Sequence, residues 1–328
     1  DFSGARQDPR YGRIGFIGNP DFRTPMVQNY SLQVQYQFSG STVLTVGYQG
    51  ARGTHLLGPS YNINRRDPFV GDPSVKYPGY QSSGSPAAIY LLDPTDYASV
   101  YHAGAADIER RFSQGLQFRF NYTFSKAMDN SSGGIKFPIP NNSFNNAAIG
   151  IRLTRNQQVD NPAAERSVSS TDTPHVFNVS VLYELPFGKG KRWLSGSRVL
   201  TPILGGWQIT SLGRWRSGYP ITVTMSGFNA IDSGIPGGEF RPDRILGVPL
   251  KNPNWTKSNW RIEPYVNPRA FAWPEPGKFG NAARNLSELR SPWFNTLDSS
   301  LMKRFSPLKD ERRLFEFRME IFNLFNMS

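Results

Sequence analysis

The stretch LQFRFNYTFS, residues 116–125, decides the fold class. Leu116, Phe118, Phe120, Tyr122 and Phe124 alternate with Gln117, Arg119, Asn121, Thr123 and Ser125. Successive side chains of a strand point to opposite faces, so this segment reads as a β-strand with one apolar and one polar side. The triplet before it, Ser113-Gln114-Gly115, is turn-forming, and Ala106, Ile108, Arg110 and Phe112 lead into it as the first arm of a hairpin.

Working outward, the same arrangement recurs. Tyr30, Leu32, Val34, Tyr36 and Phe38 alternate with Ser31, Gln33, Gln35 and Gln37. After Ser39-Gly40-Ser41, Leu44, Val46 and Tyr48 alternate with Thr45, Gly47 and Gln49. Near the end, Leu297, Leu301 and Phe305 lead into a turn around Pro307, and Phe315, Phe317, Met319 and Ile321 then alternate with Glu316, Arg318 and Glu320. Phe38-Ser39, Phe112-Ser113 and Phe305-Ser306 each close a strand just before its turn, an internal repeat. With Phe177 to Leu185 and Trp207 to Trp215, the pattern predicts about eight strands of roughly 10 to 13 residues. That is close to the ~9 to 11 residues a tilted strand needs to cross a bilayer.

The linkers run short (39–41), long (52–99), short (113–115), long (129–173), intermediate (186–204), long (217–294) and short (306–311). Tight turns at one end and extended loops at the other are the habit of outer-membrane barrels. Mean hydropathy of −0.47 is compatible with this, because such strands face lipid with every second residue only. No run approaches the ~20 apolar residues of a helical span. Among the 37 Lys and Arg, many flank the short or intermediate linkers: Arg110, Arg111, Lys189, Lys191, Arg192, Lys303, Arg304, Arg312 and Arg313. There they could snorkel to phospholipid headgroups, at the level of an aromatic girdle of Phe38, Phe112, Phe187 and Phe305.

Other classes find little support. No cysteine is present, which removes disulfide frameworks and thiolate sites. The three histidines, His55, His102 and His175, lack the spacing of a metal site or a triad. Neither a nucleophile elbow nor a phosphate loop occurs, so no enzyme, metal or cofactor is expected, and nucleic acid is not an expected partner. The Asn-x-Ser/Thr triplets include Asn121 and Asn178 inside strands, where a glycan would disrupt packing. Glu316 and Glu320 lie about 13 Å apart along a strand with Arg318 between them, which suits charge pairing. A soluble β-sandwich would also alternate, but loops of roughly 45 to 80 residues are uncommon in compact soluble domains.

Several segments, in order, resemble the barrel region of Oar-like TonB-dependent receptors. They include NPDFRTPMVQNYSLQVQYQF (19–38), VLTVGYQGARGTHL (43–56), IERRFSQGLQFRFNYTFSKAMDN (108–130), HVFNVSVLYELPFGKGKRW (175–193), LGGWQITSLGRWRSGYPITV (204–223), RPDRI (241–245), VNPRAFAWPEPGKFGNAARN (266–285), LDSSLMKRF (297–305) and FEFRMEIFNLFN (315–326). The resemblance implies an all-β, antiparallel transmembrane barrel in the bacterial outer membrane, with residues 1–328 supplying part of a larger barrel of about 22 strands. It implies import of an unidentified solute, with a plug and a coupling box for the TonB energy-coupling complex expected outside this chain. The expected partners are thus outer-membrane lipid, that complex and the solute. As a fragment the strands are expected to leave open edges. The lumen candidates are Gln33, Gln35, Gln117, Arg119, Asn121, Asn178, Glu316, Arg318 and Glu320, groups able to exchange hydrogen bonds with a polar solute. Trp255, Trp260, Tyr265 and Trp273 are loop candidates for stacking on a ring, with packing of the loop on itself the favoured role. The alternatives are an outer-membrane barrel with a structural, adhesive or secretion-related role, and a soluble carbohydrate-binding β-protein.

Overall fold

A computed structural model describes residues 14–63, 81–82, 85–86, 88–131, 134–138, 150–154, 156–158, 161–196, 199–225, 240–275, 278–305 and 315–325. Eight strands pair in chain order, all antiparallel, into one sheet. These are β1 (Met26–Ser39), β2 (Thr42–Leu56), β3 (Tyr97–Ser113), β4 (Leu116–Asp129), β5 (His175–Glu184), β6 (Trp207–Arg216), β7 (Phe294–Phe305) and β8 (Phe315–Ile321). The sheet is open, with β1 and β8 at its edges. Helix among the described residues is confined to Leu200–Leu204 and a 3-10 turn at Pro268–Ala270.

The hairpin geometry follows from the turn residues. Gln114 and Gly115 both have positive φ, 54° and 80°, the twist that lets a two-residue loop join right-twisted strands. β1 to β4 are 14, 15, 17 and 14 residues long, beyond the predicted range. The surplus lies at the loop end, where β2 continues to Leu56 and β4 to Asp129. There β4 gains the two-residue partner Ser167–Val168.

Register fixes the two faces. One row runs Gln35, Thr45, Asp107, Asn121, Asn178, Arg214, Thr296 across seven strands; the next runs Tyr36, Leu44, Ile108, Phe120, Val179, Gly213, Leu297. Every acidic residue of the eight strands, Asp107, Glu109, Asp129, Glu184, Asp298, Glu316 and Glu320, shares the first face. None is on the second. That second face leaves large side chains uncovered, Leu32 at 70% and Phe124 at 54% exposure, whereas a water-soluble sandwich would bury them against another sheet. On the polar face, by contrast, the cross-strand pair Ala103 and Ser125 near the loop end is buried, Ser125 Oγ donating to the Thr173 carbonyl at 3.2 Å. The polar face is therefore the inner one.

At the turn end the expectation for the basic residues needs correction. Arg304 has inward parity and pairs with Glu316 at 2.9 Å, and Lys191 pairs with inward Glu184 at 2.5 Å. Lys303 is buried, its ammonium donating to the Pro202 and Ile203 carbonyls at 2.5 and 2.7 Å, where it caps the short helix. Phe187 packs on Trp193 within the 186–204 linker, ring centroids 5.5 Å apart. The turn around Pro307, with Arg312 and Arg313, lies outside the described residues.

Candidate functional site

All nine lumen candidates fall on the inner face. Arg119, Asn121 and Asn178 come together on β4 and β5, lining a shallow depression of about 580 Å³ with Ser180, Arg214 and Asp298. Asn178 Nδ2 reaches Asn121 Oδ1 at 3.4 Å, and Arg119 Nε donates to Asp107 at 2.9 Å. The depression thus offers amides, two guanidiniums and a carboxylate within one floor. Gln33 and Gln35 stand apart near the β1 edge, opposite Gly47 and Thr45, and Gln117 lies toward the turn end opposite Leu182. Glu316, Arg318 and Glu320 stand apart, three strands from Asn178 and displaced along the sheet toward the turn end, so that even Glu320 is roughly 19 Å from it. Arg318 bridges the two carboxylates at 2.8 and 3.5 Å, the charge pairing that their spacing suggests. Asp107, Arg214 and Asp298 were not singled out from sequence; they become part of the site only through register.

The loop aromatics divide. Trp255 meets Tyr265 edge-on at 4.8 Å, with Lys251 Nζ 5.1 and 5.5 Å from the two ring centroids. The Tyr265 hydroxyl donates to the Arg290 carbonyl at 2.6 Å, and burial pushes this phenol up from its ordinary pKa of 10.0. Tyr265 packs against a loop core of Leu250, Ala270, Leu286 and Leu289, so these two rings hold the loop together. Trp260 and Trp273 stay exposed, at 61% and 66%.

The largest feature absent from the sequence reading is a polar clamp between the long loops. Glu165 is fully buried and accepts from Arg241 Nη1 and Nη2 at 2.7 and 3.1 Å and from the Gln158 N–H at 2.8 Å. Arg241 also donates from Nε to the Ala282 carbonyl and from its N–H to Gln157 Oε1. Gln157 donates onward to the Gly280 carbonyl at 3.0 Å. Arg284 donates to the carbonyls of Glu165 and Ser131 and to both the carbonyl and the carboxylate of Asp129, at the top of β4. Arg290 Nη2 pairs with Asp172 at 2.6 Å, and Asp172 Oδ1 accepts from the Ala127 N–H. Burying ions is offset here by bidentate geometry and nearly complete hydrogen bonding. Arg241 and Arg284 sit in the RPDRI and GNAARN pieces, so the signal lay in those motifs without their role being legible.

Residues 5–328 match the family model described as an outer membrane beta barrel domain. No curated protein matches the chain. Among the solved structures that resemble it are two outer membrane transporters. The outer membrane transporter YddB from Escherichia coli aligns at 9% identity and a TM-score of 0.41, covering 96% of this chain and 30% of its own length. The FrpB iron transporter from Neisseria meningitidis (F3-3 variant) aligns at 10% identity and 0.41, covering 97% and 29%. The chain therefore spans about 30% of the length of the structures it matches.

Proposed function

Because the chain belongs to the outer membrane β-barrel domain family, we propose that it forms part of the wall and the outer loops of an Oar-like, TonB-dependent importer of a polar solute. One observation carries this reading: hydrogen-bonding and charged groups, with all strand carboxylates, line one face, while the opposite face is apolar between the cations near its two ends. Such a wall, continued into a closed barrel of about 22 strands, encloses a polar passage and shows hydrocarbon to lipid. The role is a conduit with no catalysis. Arg119, Arg214, Asn121, Asn178 and Asp298 would exchange hydrogen bonds with the passing solute. Energy coupling would come from a plug and coupling box elsewhere in the protein.

The sequence contains no Cys, so an introduced thiol is unique within it. In cells making the protein at full native length, Asn178→Cys is expected to react with a membrane-impermeant maleimide and Val179→Cys to stay unlabelled. The reverse would end the reading. Whole-cell uptake of siderophore chelates, oligosaccharides and peptides then tests import. Solute entry should stop when the proton gradient is collapsed and should weaken in an Arg119→Ala, Arg214→Ala double variant. Entry indifferent to both would point to a passive or structural barrel.

A further inference from the structure

The outward face carries cations only near its two ends, and the ends differ. At the turn end Lys303 is spent on helix carbonyls, and Arg110 Nη2 reaches the Ser113 carbonyl at 3.4 Å. At the loop end His102 and Lys126 face each other directly across the β3–β4 ladder, and Arg52 lies one outward row beyond, opposite Val100. All three are exposed, and among the described residues no carboxylate pairs with Arg52 or Lys126. No strand carboxylate lies on this face to neutralise the Arg52 and Lys126 charges.

Just below the cations is a level of rings. Tyr48 Oη lies 2.6 Å from His102 Nδ1, with Tyr30 6.4 Å from the imidazole centroid. Tyr122 Oη lies 2.8 Å from His175 Nδ1, and Phe124 and Trp293 pack on that ring. With the phenol donating to Nδ1, the proton of His102 sits on Nε2, a second donor beside Lys126. Thr42 to Arg52 and Leu116 to Lys126 are each ten positions. At ~3.3 Å per residue and ~40° tilt that is about 25 Å of height, the thickness of the apolar band of an outer-membrane barrel. Arg52, His102 and Lys126 therefore stand at the headgroup level of the leaflet next to the loops, on top of an aromatic girdle.

We propose that Arg52, His102 and Lys126 dock the phosphate of an outer-leaflet phosphorylated glycolipid, whose acyl chains lie down the apolar rows below. The choice of glycolipid rests on the reading that the loop end faces the cell exterior. Native mass spectrometry of the full-length protein in detergent, titrated with bis-phosphorylated lipid A, tests it. Each surface cation near a lipid phosphate contributes about 1 kcal/mol, so an Arg52→Ser, Lys126→Ser double variant should bind this lipid roughly 30-fold more weakly. Wild type should show a comparable loss for phosphate-free lipid A, which decides the matter even if the variant fails to reach the membrane. Equal affinity for the two lipid forms would overturn the proposal, as would displacement by equimolar inorganic phosphate. So would a double variant that folds and binds undiminished. Arg110→Ser should leave binding unchanged. Orientation is read separately: in intact cells an impermeant maleimide should label Ser287→Cys, and failure there would refute the sidedness while leaving the phosphate preference to be judged by the lipid titration.

Discussion

Phe120 and Asn121 are adjacent in sequence, yet their side chains belong to different media. Phe120 lies midway along β4 on the outward row, its ring 4.9 Å from Phe118 and 6.5 Å from Phe177 by centroid; Asn121 faces Asp107 on the inner row. Placing an arginine at the lipid midplane of a barrel costs about 2 to 4 kcal/mol, and losing the aromatic contacts adds about 0.5 to 1.5 kcal/mol. Phe120→Arg should therefore destabilise the folded protein by about 3 to 5 kcal/mol. Asn121→Arg enters a wet lumen with a carboxylate opposite, and its effect should stay within about 0.5 kcal/mol. The assay is urea unfolding of the full-length protein in phosphatidylcholine vesicles, followed by tryptophan fluorescence. Equal costs at the two positions, or a larger cost at Asn121, would mean that hydrocarbon does not touch the outward row, and the assignment of faces would fail with it.

Other outcomes follow from the loops. Glu165→Gln removes the charge opposite buried Arg241; breaking such a pair costs about 3 to 5 kcal/mol, so limited proteolysis should cut the loops faster while barrel melting is unchanged. A Cβ on Gly280 would lie 1.9 Å from the Arg241 carbonyl oxygen. Main chain cannot yield as a side chain can, so Gly280→Ala should raise amide exchange at Arg241 and Ala282 by at least tenfold, about 1.4 kcal/mol. Because burial raises the Tyr265 pKa, the folded loop holds the phenolic proton more tightly than the unfolded one. That contribution is whole below pH ~10 and is lost as pH rises through the raised value. Loop protection should fall over that alkaline range in wild type and fall less in Tyr265→Phe.

The strands were legible because a period of two is local: ten residues around Phe120 suffice to assign faces, and register then only had to join them. Partners were less legible. Arg119 could be read as an inner-face cation, but its pairing with Asp107 depends on the irregularity between Arg110 and Ser113 that sets the β3–β4 register. The clamp was not legible, since Glu165 meets Arg241 76 positions away and Asp129 meets Arg284 155 positions away through irregular segments with no period. Trp255 and Tyr265 illustrate the same limit, because whether a loop ring waits for a ligand or holds the loop is settled by contacts that hydropathy does not encode.

The clamp also bears on recognition. Arg241, Arg284 and Arg290 tie the described segments of two long loops to each other and to the rim of β4, so under the proposed import a solute would meet segments already held in place. A guest binding to them would then spend little of its affinity on freezing the host, and moving any one of these clamped segments must carry the others with it.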